Sequence, residues 1–323
     1  MTHQAMHRVE ALLALVAARG ARAGAQHHSS AESLVDNIVA FSGGVDSSLA
    51  AALVHRVFPR SSAACLGVSA ALPHAQLEQA RHVASHIGIP LWETPTTEGA
   101  VDEYVANEGR SCYYCKTTLY ATINSVAAFA RDEIARRTGG NVGDALPVIY
   151  NGTNADDQKD PTRVGLVAAA EFQVVSPLGG LRKAEVREVA KYLGLPNWNA
   201  AASPCLRSRL QFGVEATQWL GNGQWQTHLH RIEEAEAFVR RVVDLQPHMN
   251  MRVRFLAGNR AAVGKDCDAC LSVGTEFESD RLDAQNSTVK FSITRSNSRT
   301  RSPRSSVDSA LAPSKSARFA PEA

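Results

Sequence analysis

Two features are missing from this 323-residue sequence, and each argues against a class of function. No apolar run approaches the roughly 20 residues that a helix needs to span a bilayer, so we do not expect membrane insertion. An excess of one charge is missing too: 34 basic and 32 acidic side chains leave a net charge of +2. Without a basic field, nucleic acid is not favoured as a partner.

Cysteine is also scarce, with six residues in the whole chain, four of which form two C-x-x-C pairs. In a long chain without a secretory signal, such pairs indicate metal or redox chemistry in a reducing compartment rather than a disulfide framework. The Arg-rich, acid-poor start fits either a mitochondrial presequence or a first amphipathic helix. We therefore expect a cytoplasmic protein, with a mitochondrial location as the alternative.

Apolar, strand-like runs alternate with helical patterns through the first two thirds of the sequence. Helices are expected at about 46–57, 74–87, 112–137 and 182–195, and strands at 37–41, 61–72, 89–95, 145–150 and 171–178. Strands separated by helices of this length predict βαβ units. The expected fold class is therefore α/β, a parallel sheet with helices on both faces.

Changes in composition predict four regions along the chain. They are an N-terminal helix or arm (1–34), the α/β domain (35–195), a small α+β domain (196–264) and a tail (265–323). The tail is rich in Ser, Pro and Arg and poor in large apolar residues, so we expect it to be disordered.

The segment Ser42-Gly43-Gly44-Val45-Asp46-Ser47 lies where a predicted strand ends and a helix begins. Open α/β sheets bind ligands at such points. The two glycines allow close backbone approach, and the N–H groups at the helix start favour an anion. The segment lacks the G-x-x-x-x-G-K-[ST] pattern of a Walker A loop, so it predicts a phosphate site of another kind.

This segment resembles the SGGxDS pyrophosphate loop of the N-type ATP pyrophosphatases, the PP-loop superfamily. Further motifs follow in order: SCYYCKTTLY (111–120), YNGTNADD (150–157), VVSPLGGLRKAEVREVAKYLGLP (174–196), PCLRSRLQFG (204–213), RIEEAEAFVR (231–240) and RVRF (252–255). Together they resemble the LarE family of ATP-dependent sulfur transferases over roughly residues 35–260. The resemblance implies an adenine nucleotide α-hydrolase-like fold.

The resemblance also implies a reaction. ATP adenylylates a carboxylate of pyridinium-3,5-biscarboxylic acid mononucleotide, pyrophosphate leaves, and sulfur then displaces AMP to give a thiocarboxylate. Two rounds give the sulfur-bearing precursor of the nickel-pincer nucleotide cofactor. In the sacrificial form, the donor cysteine is left as dehydroalanine. The implied cofactors are ATP and Mg²⁺, and the implied partner is a small nucleotide substrate.

Site residues follow from the resemblance, one motif at a time. The catalytic candidates are Cys205 as sulfur donor, Asp46 and Lys183. Contacts to ATP are expected from Ser42, Gly43, Gly44, Asp46, Ser47, Gly152, Thr153 and Asn154. The expected Mg²⁺ ligands are Asp46, Asp157 and Glu236, since carboxylate oxygens suit this ion. Arg252 and Arg254 alternate on a predicted strand and would hold the substrate phosphate from one face.

The source of the sulfur has two interpretations. Cys205 is itself sacrificed, or it joins Cys112 and Cys115 in ligating a [4Fe-4S] cluster whose open iron holds a sulfide. The presence of all three cysteines favours the cluster. A zinc site formed by Cys112 and Cys115 with Cys267 and Cys270 is a weaker alternative, because the spacing does not match a compact zinc module.

Two rival functions stay open at this point. Transfer-RNA thiolases of the PP-loop superfamily also combine SGGxDS with three cysteines, but they should carry an RNA-binding domain or basic stripe. A non-catalytic nucleotide- or metal-binding relative is the other, because the closing strands of the family are not recognisable beyond about residue 264. That divergence also leaves a homo-oligomer as an expectation only.

Overall fold

Four strands in the first part of the chain form one parallel sheet. They are β1 (Asn37–Ala40), β2 (Ser62–Val68), β3 (Leu91–Pro95) and β4 (Val148–Tyr150), arranged in the order β3-β2-β1-β4. Every neighbouring pair is parallel. Parallel neighbours require a long crossover, and helices supply it here. The predicted parallel sheet is confirmed.

The structure, a computed structural model, describes residues 2–20, 35–138, 146–219, 225–242, 251–258, 260–265 and 273–276. These residues belong to two units, Met1–Ser203 and Pro204–Ala323. The helices of the first unit are α1 (Thr2–Gly20), α2 (Val45–Val57), α3 (His74–Ile87), α4 (Asp102–Ala106), α5 (Ser111–Thr138), α6 (Gly165–Glu171) and α7 (Lys183–Tyr192).

Helices cover both faces of this sheet, as predicted. Successive side chains of a strand point to opposite faces, and β1 follows that rule. Val39 packs into a core cluster with residues of α1, α2, α3 and α7. Its neighbours Ile38 and Ala40 pack into a second cluster with residues of α5 and α6. Because β1 is buried on both faces, its sequence is a continuous apolar run rather than an alternating one.

Helix α1 belongs to the first core cluster, in agreement with the amphipathic-helix interpretation of the sequence. Val9, Leu12 and Val16 are buried there. Arg8, on the polar side of the helix, pairs with two carboxylates of α7, Glu185 at 2.6 Å and Glu188 at 2.8 Å. The helix is therefore tied to α7 by charge as well as by apolar packing.

Replacing Val16 by alanine should destabilise the first unit by about 2 kcal/mol, because the side chain is fully buried and its loss leaves a cavity. Leu15→Ala is the matched control, since Leu15 is 40% exposed on the same helix and its loss should change stability by less than about 0.5 kcal/mol. Urea unfolding of both variants measures the difference. Equal effects would show that α1 does not pack as described.

One predicted strand of the first unit is wrong. Residues 171–178 do not form a strand; only Val175 makes an isolated parallel bridge, to Tyr150. Gln173 has a φ of 52°, a left-handed conformation that interrupts extended backbone. Pro177 follows and lacks a backbone N–H, so the pairing ends at a single residue.

The second unit contains two small antiparallel sheets and one helix. One sheet pairs β5 (Thr217–Trp219) with β6 (Trp225–Thr227), and the other has the order β7 (Met251–Leu256), β8 (Arg260–Lys265), β9 (Val273–Glu276). Helix α8 (His228–Val242) follows β6. Strand β9 lies inside the range that the composition assigned to the tail. None of the helices described in either unit is long and apolar enough to cross a membrane.

Candidate active site

The glycine-serine loop follows β1 at the carboxyl end of the sheet and leads directly into α2. Gly43 has a φ of 69°, which side chains rarely adopt. A Cβ atom at Gly43 would lie 2.7 Å from the Cα of Ala80 on α3. The glycine is therefore required twice, by its own backbone conformation and by the close approach of α3.

Hydroxyl groups hold the last carbonyl of the loop. Ser47 Oγ and Ser48 Oγ both donate to the carbonyl of Gly44, over 3.0 Å and 2.9 Å. The Ser42 and Ser47 hydroxyls also lie within hydrogen-bond distance of each other, at 3.1 Å. These short polar side chains therefore stabilise the turn from strand to helix.

Three side-chain amides hold the other two carbonyls of the loop. Gln76 donates to the carbonyl of Ser42 over 2.5 Å, and Gln79 donates to that of Gly43 over 2.8 Å. Asn197 donates to the carbonyl of Gly43 as well, over 2.9 Å. None of these three amides belongs to the predicted site residues. The backbone N–H groups of Ser42 and Gly44 are bound as well, to Ser47 Oγ over 3.2 Å and to Ser42 Oγ over 3.4 Å.

The start of α2, beside this loop, is a site suited to an anion. Its N-cap residue is Gly44, which makes no side-chain capping bond. The first N–H groups of a helix have no partner within the helix, and the helix dipole favours negative charge there. The residues at this position fit a phosphate group, and their contact with ATP stays a prediction.

Asp46, Lys183 and Asn154 meet beside the loop, although they belong to three separate motifs. Lys183 Nζ, at the start of α7, pairs with Asp46 Oδ2 in the first turn of α2. Asn154 Nδ2 donates to Asp46 Oδ1 over 3.0 Å. The Asp46 and Lys183 side chains are 25% and 36% exposed, so both are accessible to a ligand. A carboxylate and an ammonium beside an anion site can bind a metal–phosphate group and stabilise its charge.

The loop after β4 is organised by Asn154, which is buried. Its Oδ1 accepts from the amides of Asp156 and Asp157 over 2.9 Å and 3.1 Å. The Asp157 carboxylate accepts from the backbone N–H of Asn154 over 3.2 Å and pairs with Arg163 at 2.8 Å. Asp156, which is not among the predicted site residues, accepts from the Lys183 backbone amide over 2.8 Å. This loop therefore fixes the start of α7.

Gly152 allows the same loop to touch the first turn of α2. A Cβ atom at Gly152 would lie 2.5 Å from both the carbonyl carbon of Asp46 and the amide nitrogen of Ser47. The next residue, Thr153, donates its amide to Asn151 Oδ1 over 3.0 Å. The structure thus brings the predicted residues of the two ATP motifs into contact.

The first C-x-x-C pair lies in the first two turns of α5, with Cys112 exposed and Cys115 partly buried. Arg110, just before the helix, lies over the rings of Tyr113 and Tyr114 at 5.1 Å and 5.9 Å from their centroids. Such cation–π contacts fix the entry to the helix. Cys267 and Cys270 lie outside the described residues.

In the second unit, Cys205 is exposed and immediately precedes a 3₁₀ helix, Leu206–Arg209. Arg252 and Arg254 alternate on β7 with the buried Met251 and Val253, so they share a face as predicted. Their binding of a substrate phosphate, like the role of Cys205 as sulfur donor, stays a prediction.

The predicted metal ligands are distributed between the two units. Asp46 and Asp157 lie in the first, where Asp46 already pairs with Lys183. Glu236 lies in the second and is buried against Arg209. In the part of the chain that the structure describes, no three His, Cys, Asp or Glu side chains are grouped so that they could hold a metal ion. Cys112 and Cys115 belong to the first unit and Cys205 to the second, so the [4Fe-4S] cluster stays a prediction.

Two solved structures are similar to the chain at a low level. The NH3-dependent NAD synthetase of Campylobacter jejuni is 18% identical, with a TM-score of 0.37 over 59% of this chain and 74% of that one. The NMN synthetase of Francisella tularensis is also 18% identical, with a TM-score of 0.38 over 62% and 75%. Both TM-scores are below 0.5, so the family assignment rests on sequence relatives instead.

No protein-family model matches the chain. An uncharacterized protein of Synechocystis sp. is 36% identical over 207 residues, which are 64% of this chain and 69% of the relative. The pyridinium-3,5-bisthiocarboxylic acid mononucleotide synthase of Lactiplantibacillus plantarum is 30% identical over 182 residues, 55% of this chain and 60% of that protein. Several of the ordered motifs form one site in the first unit. Together with that site, these relatives show that the chain belongs to the LarE family of the PP-loop superfamily.

Proposed function

We propose that the chain is an ATP-dependent sulfur transferase that acts on a carboxylate of a pyridinium mononucleotide, as in nickel-pincer nucleotide cofactor biosynthesis. The observation that carries the proposal is the meeting of Asp46, Lys183 and Asn154 beside the loop after β1. The name of the relative from L. plantarum supports the substrate class. This chain spans 60% of that relative, so the substrate is part of the proposal.

In the proposed first step, a substrate carboxylate oxygen attacks the α-phosphorus of ATP, and pyrophosphate leaves. The N–H groups of the first turn of α2 bind the departing phosphates. Lys183 stabilises the negative charge that develops on them. Asp46 and Asp157 would hold Mg²⁺, whose charge neutralises the phosphate oxygens when it is bound.

In the proposed second step, the Cys205 sulfur attacks the carbonyl carbon of the acyl-adenylate, and AMP leaves. The product is a thioester between protein and substrate. Loss of the Cys205 Cα proton with cleavage of the Cβ–S bond then releases the thiocarboxylate and leaves dehydroalanine. The atoms and electrons of this step balance without an added oxidant or reductant.

Intact-protein mass spectrometry tests this proposal. The chain is purified anaerobically and measured before and after incubation with ATP, Mg²⁺ and pyridinium-3,5-biscarboxylic acid mononucleotide. We expect thiolated product and a loss of about 34 Da, the mass of one H₂S, at Cys205, because the thiol leaves as sulfur. Cys205→Ala is the control, and it should release pyrophosphate without thiolated product.

Two other results would contradict the proposal in different ways. Thiolated product with an unchanged protein mass would show that Cys205 is not consumed, and iron in the starting protein would then support the cluster. Absence of both pyrophosphate and product would indicate another substrate or a non-catalytic relative. Cytoplasmic location and a homo-oligomer stay predictions beside this one.

A further inference from the structure

A buried ion pair lies next to the proposed sulfur donor in the second unit. Arg209 Nε lies 3.0 Å from Glu236 Oε1, and Nη2 lies 3.4 Å from Oε2. The two residues are 5% and 8% exposed. Two parallel contacts between a guanidinium and a carboxylate make a directional pair. Burying both charges is costly, so such a pair is stable only if further hydrogen bonds satisfy it.

The remaining donors of Arg209 provide part of that satisfaction, and they go to the donor cysteine segment. Arg209 Nη1 donates to the backbone carbonyls of Pro204 and Cys205, the latter over 2.8 Å. Both carbonyls flank the Cα atom of Cys205, whose Cβ atom carries the sulfur. The guanidinium thus fixes the backbone of Cys205 while the thiol stays exposed.

Glu236 makes a third contact, on the other side of the pair. The amide of Val253 donates to Glu236 Oε1 over 3.1 Å. Val253 lies on β7 between Arg252 and Arg254, the residues predicted to hold the substrate phosphate. One buried carboxylate therefore binds both the segment of the sulfur donor, through Arg209, and the strand of the two arginines.

We propose that Glu236 is a positioning residue for sulfur transfer and not a Mg²⁺ ligand; this inference rests on the proposed function. Both of its oxygens accept hydrogen bonds from protein donors, and a metal ion would have to displace a buried guanidinium. Through Arg209 and Val253, it holds the Cys205 sulfur at a constant place relative to the strand that binds the substrate. Glu236 touches neither substrate nor sulfur and acts through these two neighbours.

Glu236→Gln tests the proposal, with Glu234→Gln as the matched control. Glu234 lies on the same helix with a side chain that is 65% exposed. At saturating ATP and substrate, the amount of thiolated product formed per pyrophosphate released should fall about 100-fold in Glu236→Gln, since a misplacement of about 1 Å has that effect on a reacting group. Glu234→Gln should keep the ratio of the unmodified chain.

Arg209→Lys separates positioning from loss of folding. It keeps the positive charge but loses the two-pronged contact, and we expect the same fall in the ratio. Hydrogen exchange gives a readout that needs no activity. Residues 204–210 and 251–256 should both exchange faster in Glu236→Gln, because both lose a bond to the same carboxylate.

Three results would overturn the inference. An unchanged ratio would give Glu236 a packing role only. A higher Mg²⁺ requirement for pyrophosphate release in Glu236→Gln would make it a metal ligand after all. Faster exchange in only one of the two segments would show that Glu236 does not link them. If the unmodified chain releases no pyrophosphate, the proposed function fails, and the exchange experiment alone decides the link.

Discussion

Replacing Asp46 by asparagine should reduce pyrophosphate release by at least about 100-fold, the usual cost of disturbing one group in the electrostatic stabilisation of a transition state. Asparagine has nearly the same shape and can still accept from Asn154, so the fold should persist. It cannot neutralise Lys183, and it is a poorer ligand for Mg²⁺ than a carboxylate. The loss should therefore appear in the rate at saturating ATP rather than in the amount of folded protein.

A coupled pyrophosphate assay measures this effect, with circular dichroism as the check on folding. Asp132→Asn is the control, because Asp132 is exposed on α5, away from the loop. The control should release pyrophosphate at the rate of the unmodified chain. Continued turnover of Asp46→Asn would contradict the assignment of residues 42–47 as the pyrophosphate loop.

Replacing Gly152 by alanine is expected to have the second large effect. The added Cβ would meet backbone atoms of Asp46 and Ser47 at 2.5 Å, and backbone atoms cannot rotate away as a side chain can. We expect destabilisation of about 1–3 kcal/mol from overpacking. The first turn of α2 must also move, so pyrophosphate release should fall by at least about tenfold.

Gly180→Ala controls for the glycine substitution itself. A Cβ at Gly180 meets nothing within 4 Å, and this residue too lies in a loop of the first unit. Urea unfolding and the pyrophosphate assay on both variants give the comparison. Equal stability of the two variants would mean that the loop after β4 does not approach α2 as closely as described.

Local patterns were enough to predict most elements of the first unit. The helix predicted over 74–87 is α3 without change, and the helix predicted over 112–137 is α5 to within one residue at each end. Both depend on periodic apolar residues, which are visible in the sequence alone. The prediction of a strand over 171–178 was wrong because the left-handed conformation of Gln173 cannot be recognised from the apolar pattern.

The contacts of the site were beyond local patterns. Asp46 and Lys183 are 137 residues apart, and the motifs suggested a role for each without showing that they pair. Gln76 and Gln79 read as ordinary polar positions of a helix, and only the approach of α3 to the loop gives them a function. The one available signal was their spacing of three, which places both amides on one helix face.

Glu236 shows the same limit in the second unit. A carboxylate in a charged helix suggested a metal ligand. In the structure, this carboxylate pairs with Arg209, which lies 27 residues earlier in the chain. The spacing from Ile232 and Val239 places Glu236, unlike Glu234, on the apolar face of α8, but it does not show that Arg209 meets the carboxylate there. Burial separates the two, and burial depends on the packing of α8 against the rest of its unit.

The bound carbonyls of the loop after β1 have a consequence for the thermodynamics of ligand binding. Protein donors already hold the carbonyls of Ser42, Gly43 and Gly44, so this segment loses its conformational entropy when the chain folds. An incoming phosphate therefore meets a rigid surface and does not have to immobilise it. The heat and entropy measured on binding should accordingly reflect the phosphate and the water it displaces, with little contribution from the loop.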